Sequence, residues 1–291
     1  MISILIPIYN DVILELVKAI HTQCMDEAID FEIICLDDGS SSDIRLQNAV
    51  LADLPLVQYL ELTENIGRSR IRNRLADLAK FPYLLFMDGD SRVVRSNYIR
   101  RYLDILHPDR VIYGGRVYSN QSPLESTFRL HWRYGLQREA LTVSARNAHP
   151  YRTFMTNNFV VPLAIFRQVR FDETIRRYGY EDTLYALALQ QKGINIVHTD
   201  NPLLHLGLET RTVFLRKIGE ALDNLREILP LHPEIDTRLL MLVRRLERSH
   251  LLPVFKMMSS IGKPICKNLM RVEGMPLRVL DLYKLFYFLG K

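Results

Sequence analysis

Short apolar runs alternate with helix-like stretches through the first hundred residues of this chain. The runs Ile2–Ile8, 31–36 and Tyr83–Met87 are continuous and rich in Ile, Leu and Phe, as is typical of strands buried on both faces. A shorter run occupies 57–62, and residues 11–25 carry apolar side chains at helical spacing. This alternation predicts an α/β fold with a mostly parallel, doubly wound sheet flanked by helices.

The pattern changes along the chain and becomes wholly helical near its end. We predict further helices at 68–79, 97–106 and Glu181–Gln191, further strands at 111–113, 158–161 and 194–198, and a helix opened by Pro162. Residues 116–157 have weak periodicity and many Arg, Tyr, His and Asn residues, as expected of segments that frame a site. Amphipathic helical segments follow near 211–229, 234–249, 254–270 and 277–289. The sequence thus predicts an α/β domain at 1–210 and a helical extension at 211–291.

Composition favours a large core in a reducing environment. Hydrophobic residues make up 48% of the chain, and Cys24, Cys35 and Cys266 have no paired spacing, which excludes a cysteine zinc site and argues against a disulfide framework. No apolar stretch reaches the roughly 18 to 20 residues needed to span a bilayer. The first residues lack the positively charged region of a signal peptide. We therefore expect a cytoplasmic protein.

Polar clusters follow four of the predicted strands. They are Pro7-Ile8-Tyr9-Asn10, Asp37-Asp38-Gly39-Ser40, Asn65-Ile66-Gly67-Arg68 and Asp88-Gly89-Asp90. Because the carboxyl ends of parallel strands meet at one edge of a sheet, these clusters should face one crevice. Two carboxylates around a glycine can bind a divalent cation, which in turn recruits substrate phosphates. Taken alone, Asp88-Gly89-Asp90 is more typical of a solvated turn than of a metal site.

The order and spacing of these clusters resemble the inverting family 2 glycosyltransferases of the GT-A fold, over roughly residues 1–210. The resemblance implies a nucleotide-binding part at 1–110, an acceptor-binding part at 111–210, and Mg²⁺ or Mn²⁺ as cofactor. It also implies transfer of a hexose or hexosamine from a UDP-sugar to a saccharide or lipid-linked saccharide acceptor, in the synthesis of cell-surface polysaccharide.

The resemblance assigns the first three clusters to the nucleotide. Residues implied in nucleotide binding are Pro7, Tyr9, Asn10, Asp37, Asn65, Gly67, Arg68, Arg72, Asp88 and Gly89. Among them, Asp37 would accept a hydrogen bond from the base, since a carboxylate suits the imide N–H of uracil. Asp37 and Asp38 are alternatively caps of a helix that starts within residues 40–43, and capping is the better interpretation for Asp38. A helix N-terminus next to Gly67 suits phosphate, and Arg68 and Arg72 share one helix face.

The fourth cluster is implied to hold the metal. By resemblance Asp90 would bind it, Asp88 would contact the ribose or share the metal shell, and His205 would be a further ligand. A structural role for His205 is the competing interpretation.

The pair Glu181-Asp182 resembles the family's catalytic acids. An inverting enzyme needs a base that deprotonates the acceptor hydroxyl, and Asp182 matches that position, while Glu181 would bind the acceptor or orient the base. Two acids at a helix start are also stabilising through the helix dipole. Asn157 and Asn158 are candidates for binding the donor sugar. The sole tryptophan, Trp132, is a candidate for stacking on an acceptor sugar, although core packing is the default for that residue.

Two departures narrow this interpretation. No Gln-x-x-Arg-Trp motif follows Glu181-Asp182, and no transmembrane segment is evident, so single transfer is favoured over polymer extrusion. A nucleotidyltransferase is an alternative, but it would normally carry a glycine-rich phosphate loop after the first strand. A catalytically silent carbohydrate-binding or scaffold protein on the same fold is another alternative, and it predicts no metal-dependent UDP binding.

The helical extension carries the excess of positive charge. Residues 211–291 hold 15 Lys and Arg against 8 Asp and Glu, while the whole chain has a net charge of +5. Residues 253–291 combine basic residues with apolar ones, including the unbroken run 285–289. We expect these helices to contact anionic lipid on the inner face of the cytoplasmic membrane. Alternatively they pack on the α/β domain or form a homodimer. We expect no nucleic-acid partner.

Overall fold

The computed structural model describes residues 1–175 and 177–290, and it divides into two compact units. The first unit, here called the sheet unit, consists of Met1–Asn120, Gly135–Arg176 and Glu181–Gly207. The second, the helical unit, consists of Gln121–Tyr134, Arg177–Tyr180 and Leu208–Lys291. Residues 121–134 and 177–180 thus belong to the helical unit, although they lie within the predicted 1–210 domain.

Ten strands form two sheets in the sheet unit. They are β1 (Ile2–Ile8), β2 (Phe31–Asp37), β3 (Val57–Glu61), β4 (Tyr83–Met87), β5 (Ser91–Val93), β6 (Arg110–Tyr113), β7 (Arg116–Val117), β8 (Asn158–Pro162), β9 (Asn195–His198) and β10 (Leu203–His205). The larger sheet has the order β3-β2-β1-β4-β8-β6-β9, and the smaller one has the order β5-β10-β7. In the larger sheet β8 runs antiparallel to both of its neighbours, and the other pairs are parallel.

Helices flank the larger sheet and build the helical unit. They are α1 (Leu14–Asp26), α2 (Ser42–Ala49), α3 (Arg68–Leu78), α4 (Tyr98–Leu103), α5 (Arg129–Tyr134), α6 (Val143–Asn147), α7 (Leu163–Gln168), α8 (Glu181–Gln191), α9 (Arg211–Ile228), α10 (Arg238–Arg248), α11 (Leu252–Leu269) and α12 (Arg278–Leu289). A π-helical turn, Gly135–Glu139, follows α5.

The strands of the larger sheet are buried because each of its faces carries its own apolar cluster. One cluster includes Ile4, Val17 and Ile20. In this cluster, alternate residues of β1 pack against the inner face of α1. The other contains a group of aromatic rings, among which Phe86 stacks on Phe159 at a centroid distance of 4.9 Å. Burial on both faces explains why β1, β2 and β4 are mainly apolar and do not alternate. Of the polar exceptions, Ser3 and Glu32 hydrogen-bond to each other at 2.7 Å.

Most of the predicted elements are confirmed, and three features differ. Pro162 ends β8 and stands just before α7, where the sequence predicted the first residue of a helix. The antiparallel direction of β8 was not predicted. The short strands of the smaller sheet were also missed, since two or three residues carry no measurable periodicity.

In the helical unit, α12 faces inward and α11 faces outward. Leu285, Phe286 and Leu289 of α12 are buried, so the apolar run that suggested a membrane contact lies in the core instead. Phe286 packs close to Gly262 of α11, where a Cβ atom would lie 2.4 Å from the ring. None of the described helices is long and apolar enough to cross a membrane. Cys24, Cys35 and Cys266 are buried free thiols, as the absence of paired spacing predicted.

Candidate active site

The loops after β1 and β2 are joined by side-chain hydrogen bonds. β1 and β2 end in register, with Ile8 opposite Asp37. Beyond them, the backbone N–H of Asn10 donates to Ser40 Oγ at 2.8 Å, and Asn10 Oδ1 accepts from the N–H of Ser41 at 3.0 Å. Asn10 has a left-handed φ of 58°, a conformation that asparagine adopts more readily than most residues. The first two clusters therefore form one structured edge.

Asp37 and Asp38 are both buried, and they bind different segments. Asp37 Oδ1 accepts from the N–H of Ser40 at 2.7 Å, whereas its Oδ2 is buried with no hydrogen-bond partner among the described residues. Asp38 accepts from the N–H groups of Ile66 at 2.7 Å and Gly67 at 3.2 Å. Asp38 thus stabilises the turn before α3. The capping interpretation had instead placed its hydrogen bonds at the start of α2. Burial raises the pKa of Asp38, although these N–H groups oppose the shift.

Asp88 lies between two buried arginines. Arg72 Nη2 donates to Asp88 Oδ1 at 2.7 Å, and Arg116 Nη2 donates to Asp88 Oδ2 at 3.3 Å. Arg116 also pairs with Glu139 at 3.5 Å, and the side chains of Arg72 and Arg116 are only 3% and 12% exposed. Both oxygens of Asp88 therefore accept hydrogen bonds from arginine, an arrangement that places two fixed positive charges beside the β4 strand end.

Asp90 and His205 lie side by side, with His205 Nδ1 3.3 Å from Asp90 Oδ1. Burial alone would raise the pKa of the Asp90 carboxyl, but the hydrogen bond and charge of His205, together with Arg116 and Arg68, hold it well below its usual range. A Cβ atom on Gly207 would come within 2.5 Å of Asp90 Oδ2 and 3.0 Å of His205 Cε1. The glycine therefore keeps the space beside this pair open.

This pair fits a divalent cation that is shared with a substrate. Within residues 1–175 and 177–290, no group of three or more His, Cys, Asp or Glu side chains converges as a metal site. One carboxylate and one imidazole, with phosphate oxygens to complete the shell, are nevertheless a donor set that Mg²⁺ and Mn²⁺ accept. Asp90 and His205 supply it, whereas Asp88 is engaged by arginines.

The two asparagines of β8 have different surroundings. Asn158 Oδ1 accepts from Tyr98 and Tyr102, and its amide donates to the carbonyls of Gly115 and Asn201. With two donors and two acceptor positions in use, Asn158 has no group left for a sugar, so the structure gives it a structural role. Asn157, which is also buried, accepts from the Tyr113 hydroxyl at 3.2 Å, while its Nδ2 has no partner among the described residues.

Glu181 and Asp182 begin α8 in environments that separate their pKa values. Burial and the adjacent charge of Glu181 raise the pKa of Asp182 to about 7. For Glu181, burial is outweighed by Arg68 and Arg72, which lower its pKa, and Arg68 Nη1 lies 3.3 Å from Glu181 Oε1. A pair of carboxyls held apart in this way is typical of acid–base sites. Tyr180, the residue before them, has a left-handed φ of 68°, which is rare for a bulky side chain.

Three of the predicted acids lie near Arg68. Its charge lowers the pKa values of Asp90, Glu181 and Asp182, which places the metal candidate and the acid pair within range of one guanidinium. Tyr9 and Asn65 are exposed at the strand ends, Pro7 and Gly89 are half-buried, and Trp132 belongs to the helical unit.

Sequence reasoning missed Arg116. Its charge lies between Asp88, Asp90 and Glu139, and these acids hold its pKa well above the usual range even though burial lowers it. The only signal was the abundance of arginine in residues 116–157.

Comparisons with known proteins bear on the family and the fold of the chain. The family model described as Glycosyl transferase family 2 matches residues 3–166. A search of curated protein sequences finds no significant match. Among solved structures, the mannosyltransferase PcManGT from Pyrobaculum calidifontis, in complex with GDP-Man and Mn²⁺, is 14% identical with a TM-score of 0.54, covering 79% of this chain and 64% of its own.

Two structures of S. aureus TarS 1-349 match nearly the whole chain. The first is 15% identical with a TM-score of 0.52, covering 98% of this chain and 90% of its own. The second, in complex with UDP, is 16% identical with a TM-score of 0.51, covering 99% and 88%. At these identities the likeness is one of fold, and the chain spans less than two thirds of PcManGT.

Proposed function

The chain belongs to glycosyl transferase family 2 and has the GT-A fold, and we propose that it is a glycosyltransferase that transfers a hexose or hexosamine from a UDP-sugar with inversion. The acceptor is a saccharide or a lipid-linked saccharide of cell-surface polysaccharide synthesis. Membership of this family argues against the nucleotidyltransferase alternative, and the silent scaffold alternative predicts no transfer in the test below. The observation that supports the inverting mechanism is the position of Glu181 and Asp182 at the start of α8, where Arg68 lies 3.3 Å from Glu181 and the surroundings lower the pKa of Glu181 and raise that of Asp182.

Asp182 acts as the base. A carboxyl with a pKa of about 7 is ionised in half of the molecules at neutral pH, and it is a stronger base than an ordinary aspartate. The acceptor hydroxyl oxygen attacks the anomeric carbon, its proton passes to the Asp182 carboxylate, and the bond from that carbon to the diphosphate breaks. Glu181 stays ionised because Arg68 and Arg72 favour its charged form, so it can accept a hydrogen bond from the acceptor.

Positive charge for the leaving diphosphate comes from the chain's own residues. Arg72 and Arg116 pair with Asp88 and are largely shielded from solvent, while Arg68, which pairs with Glu181, is half exposed. Shielded guanidinium groups stabilise charge that develops in a low-dielectric site. A bound Mg²⁺ or Mn²⁺, for which Asp90 and His205 are the candidate ligands, would add Lewis-acid stabilisation of the same charge. Gly207 leaves room at that position.

UDP is the preferred nucleotide because Asp37 ends β2 with a carboxylate oxygen that has no partner among the described residues. Such an oxygen suits the imide N–H of uracil. Asp37 is completely buried, so a base can reach its second oxygen only if residues around it move. A guanine base also presents an N–H to a carboxylate, and a donor panel with UDP-sugars and GDP-mannose distinguishes the two.

The test of the mechanism is Asp182→Asn, which keeps the size of the side chain and removes its basicity. Transfer should fall by about a hundredfold or more, while the affinity for UDP, measured by calorimetry, stays nearly unchanged. Asp109→Asn, at a highly exposed carboxylate, is the control and should retain activity. An equal loss of UDP binding and transfer in Asp182→Asn would place Asp182 in the nucleotide site and overturn its role as base.

Contact with the inner face of the cytoplasmic membrane is the second part of the proposal, and α11 carries it. One face of this helix exposes Val254, Met257, Met258, Ile261 and Ile265, with Met257 75% and Ile261 67% accessible. Lys256, Lys263 and Lys267 lie among these residues in the sequence. An apolar helix face with interspersed lysines is suited to the interface of an anionic membrane.

A further inference from the structure

The helical unit contains a cavity of about 230 Å³ with a strongly basic lining. Four arginines and one carboxylate line it, together with the only tryptophan of the chain. These residues are Arg129, Arg133, Arg211, Arg271, Glu273 and Trp132. The cavity lies wholly within the helical unit, so it is separate from the site built at the strand ends.

Three segments supply the arginines. Arg129 and Arg133 are one turn apart on α5, Arg211 is the first residue of α9, and Arg271 lies in the loop between α11 and α12. That loop is tied to α5, because Arg129 forms an ion pair with Glu273 and Arg133 Nη2 donates to the carbonyl oxygen of Gly274 at 3.4 Å. Arg129 and Arg133 therefore hold α5 against the loop that carries Arg271, and the cavity lies between these segments and the start of α9.

The charge of the lining is unbalanced. Four guanidinium groups face one carboxylate, and Glu273 offsets one of these charges through Arg129. Guanidinium groups that share a cavity repel one another, and an anion with several oxygens relieves that repulsion and accepts their N–H donors. Phosphate groups match this demand best, since each presents several oxygens and one or two negative charges.

We propose that this cavity binds a phosphate or diphosphate group, either free on a soluble sugar phosphate or as the headgroup of a lipid. The volume accommodates a diphosphate or a phosphorylated monosaccharide, but not a polymer. The site needs no transfer chemistry, so it goes beyond the proposed function and can be tested without measuring activity.

Trp132 is a built-in reporter, because it lines the cavity and is the sole tryptophan. Inorganic pyrophosphate is titrated into the full-length protein without metal while tryptophan emission is followed. Emission should change and saturate. Arg211→Gln combined with Arg271→Gln should weaken binding by about tenfold for each arginine removed.

Two further variants keep the test decisive if the double variant folds poorly. Glu273→Gln removes the only carboxylate of the lining from an exposed position, and it should tighten pyrophosphate binding. Arg248→Gln removes an exposed charge of α10 outside the cavity and should leave the affinity unchanged. No saturable change in emission, or equal affinity in Glu273→Gln and the wild type, overturns the proposal.

Parallel titrations distinguish a soluble phosphate from a lipid headgroup as the ligand. They use glucose 1-phosphate and vesicles of phosphatidylglycerol or phosphatidylcholine. If the double variant no longer binds phosphatidylglycerol vesicles or pyrophosphate, the ligand is a lipid headgroup. If it no longer binds pyrophosphate and glucose 1-phosphate but still binds the vesicles, the ligand is a soluble phosphate. Unchanged binding of all four probes in the double variant contradicts the site.

Discussion

The most buried ion pairs of the sheet unit contrast with exposed ion pairs of the helical unit. In the sheet unit, Arg72 and Arg116 are almost completely buried, and both pair with Asp88. In the helical unit, ion pairs such as Arg216–Glu220 lie on the surface, with 60% and 43% of the side chains exposed. Buried charges are costly unless they are paired, whereas exposed pairs contribute little to stability.

This contrast separates a site formed by folding from surfaces that serve recognition. The strand-end cluster must be assembled in the folded state, because each buried charge there needs its partner. The helical unit instead leaves lysines, arginines and an apolar stripe exposed on α11 and the loop that follows it. Substitutions in the sheet unit should therefore change chemistry and stability together, and those in the helical unit should change binding alone.

The largest effect is expected for Asp90→Ala. Loss of this carboxylate removes one of the two candidate metal ligands, so metal-dependent UDP binding should disappear and transfer should fall by about a thousandfold. Calorimetry with UDP in the presence and absence of Mn²⁺ measures the first effect. Asp109→Ala serves as the control. A variant that still needs Mn²⁺ to bind UDP would refute the assignment of Asp90.

The next effect concerns stability and its pH dependence in Asp182→Asn. In the folded protein the pKa of Asp182 is about 7, while in the unfolded chain it returns to about 4. Between these values unfolding releases a proton, so this group lowers wild-type stability as pH rises from about 4 to 7. Asn does not titrate, and the variant should be more stable at pH 8 by up to a few kcal/mol.

Urea unfolding of wild type and Asp182→Asn at pH 5 and pH 8 measures this difference. The gain should be small at pH 5 and fully present at pH 8. A gain of equal size at both pH values would show that the substitution acts through packing rather than through charge. Asp182 would then lack the property expected of many catalytic groups, which lower the stability of the fold while they serve activity.

A smaller effect is expected for Arg116→Lys. Lysine keeps the positive charge but cannot bridge Asp88 and Glu139 with a planar fork. UDP affinity should fall by about tenfold, and the melting temperature should also decrease, because both acids lose a hydrogen-bond donor. Arg110→Lys, at the start of β6, is the matched control. Unchanged UDP affinity would restrict Arg116 to a structural role.

The smallest effect is expected on α11. Replacing Met257 and Ile261 by Gln should weaken binding to anionic vesicles by about tenfold, and UDP affinity should not change. Leu124→Gln with Leu231→Gln removes two apolar side chains that are at least as exposed, elsewhere in the helical unit. Vesicle sedimentation that cannot distinguish the two double variants would argue against α11 as the membrane face.

Much of the sheet unit could be predicted from sequence, because its strands are marked at both ends. β1 and β4 are uninterrupted apolar runs that stop at Tyr9 and Asp88, and polar residues follow at once. Strand direction leaves no such mark, so the antiparallel β8 was missed. Arg116 was missed for a related reason, since its partners Asp88 and Glu139 lie 28 and 23 residues away and only the tertiary fold brings them together.

The helical unit was harder to predict for a physical reason. Both α11 and α12 carry apolar and basic residues, and helical periodicity identifies an apolar face without saying what covers it. Contacts with α9 show what covers the apolar face of α12, since Phe214 and Leu215 of α9 share a cluster with Leu280 and Phe286 of α12. The arginine cavity was equally invisible, because its lining comes from three distant segments.

The carboxylate of Asp38 links the assembly of the donor edge to the cooperativity of folding. It directly follows β2, and it accepts two hydrogen bonds from the backbone N–H groups of Ile66 and Gly67, about 28 residues later. Neither segment can keep its geometry if the other melts, because a buried carboxylate and two N–H groups would lose their partners together. The β2 strand end and the turn before α3 should therefore unfold together, so neither side of the nucleotide crevice stays folded without the other. Amide protons at the start of α3 should therefore exchange only through an opening that also dismantles the β2 strand end.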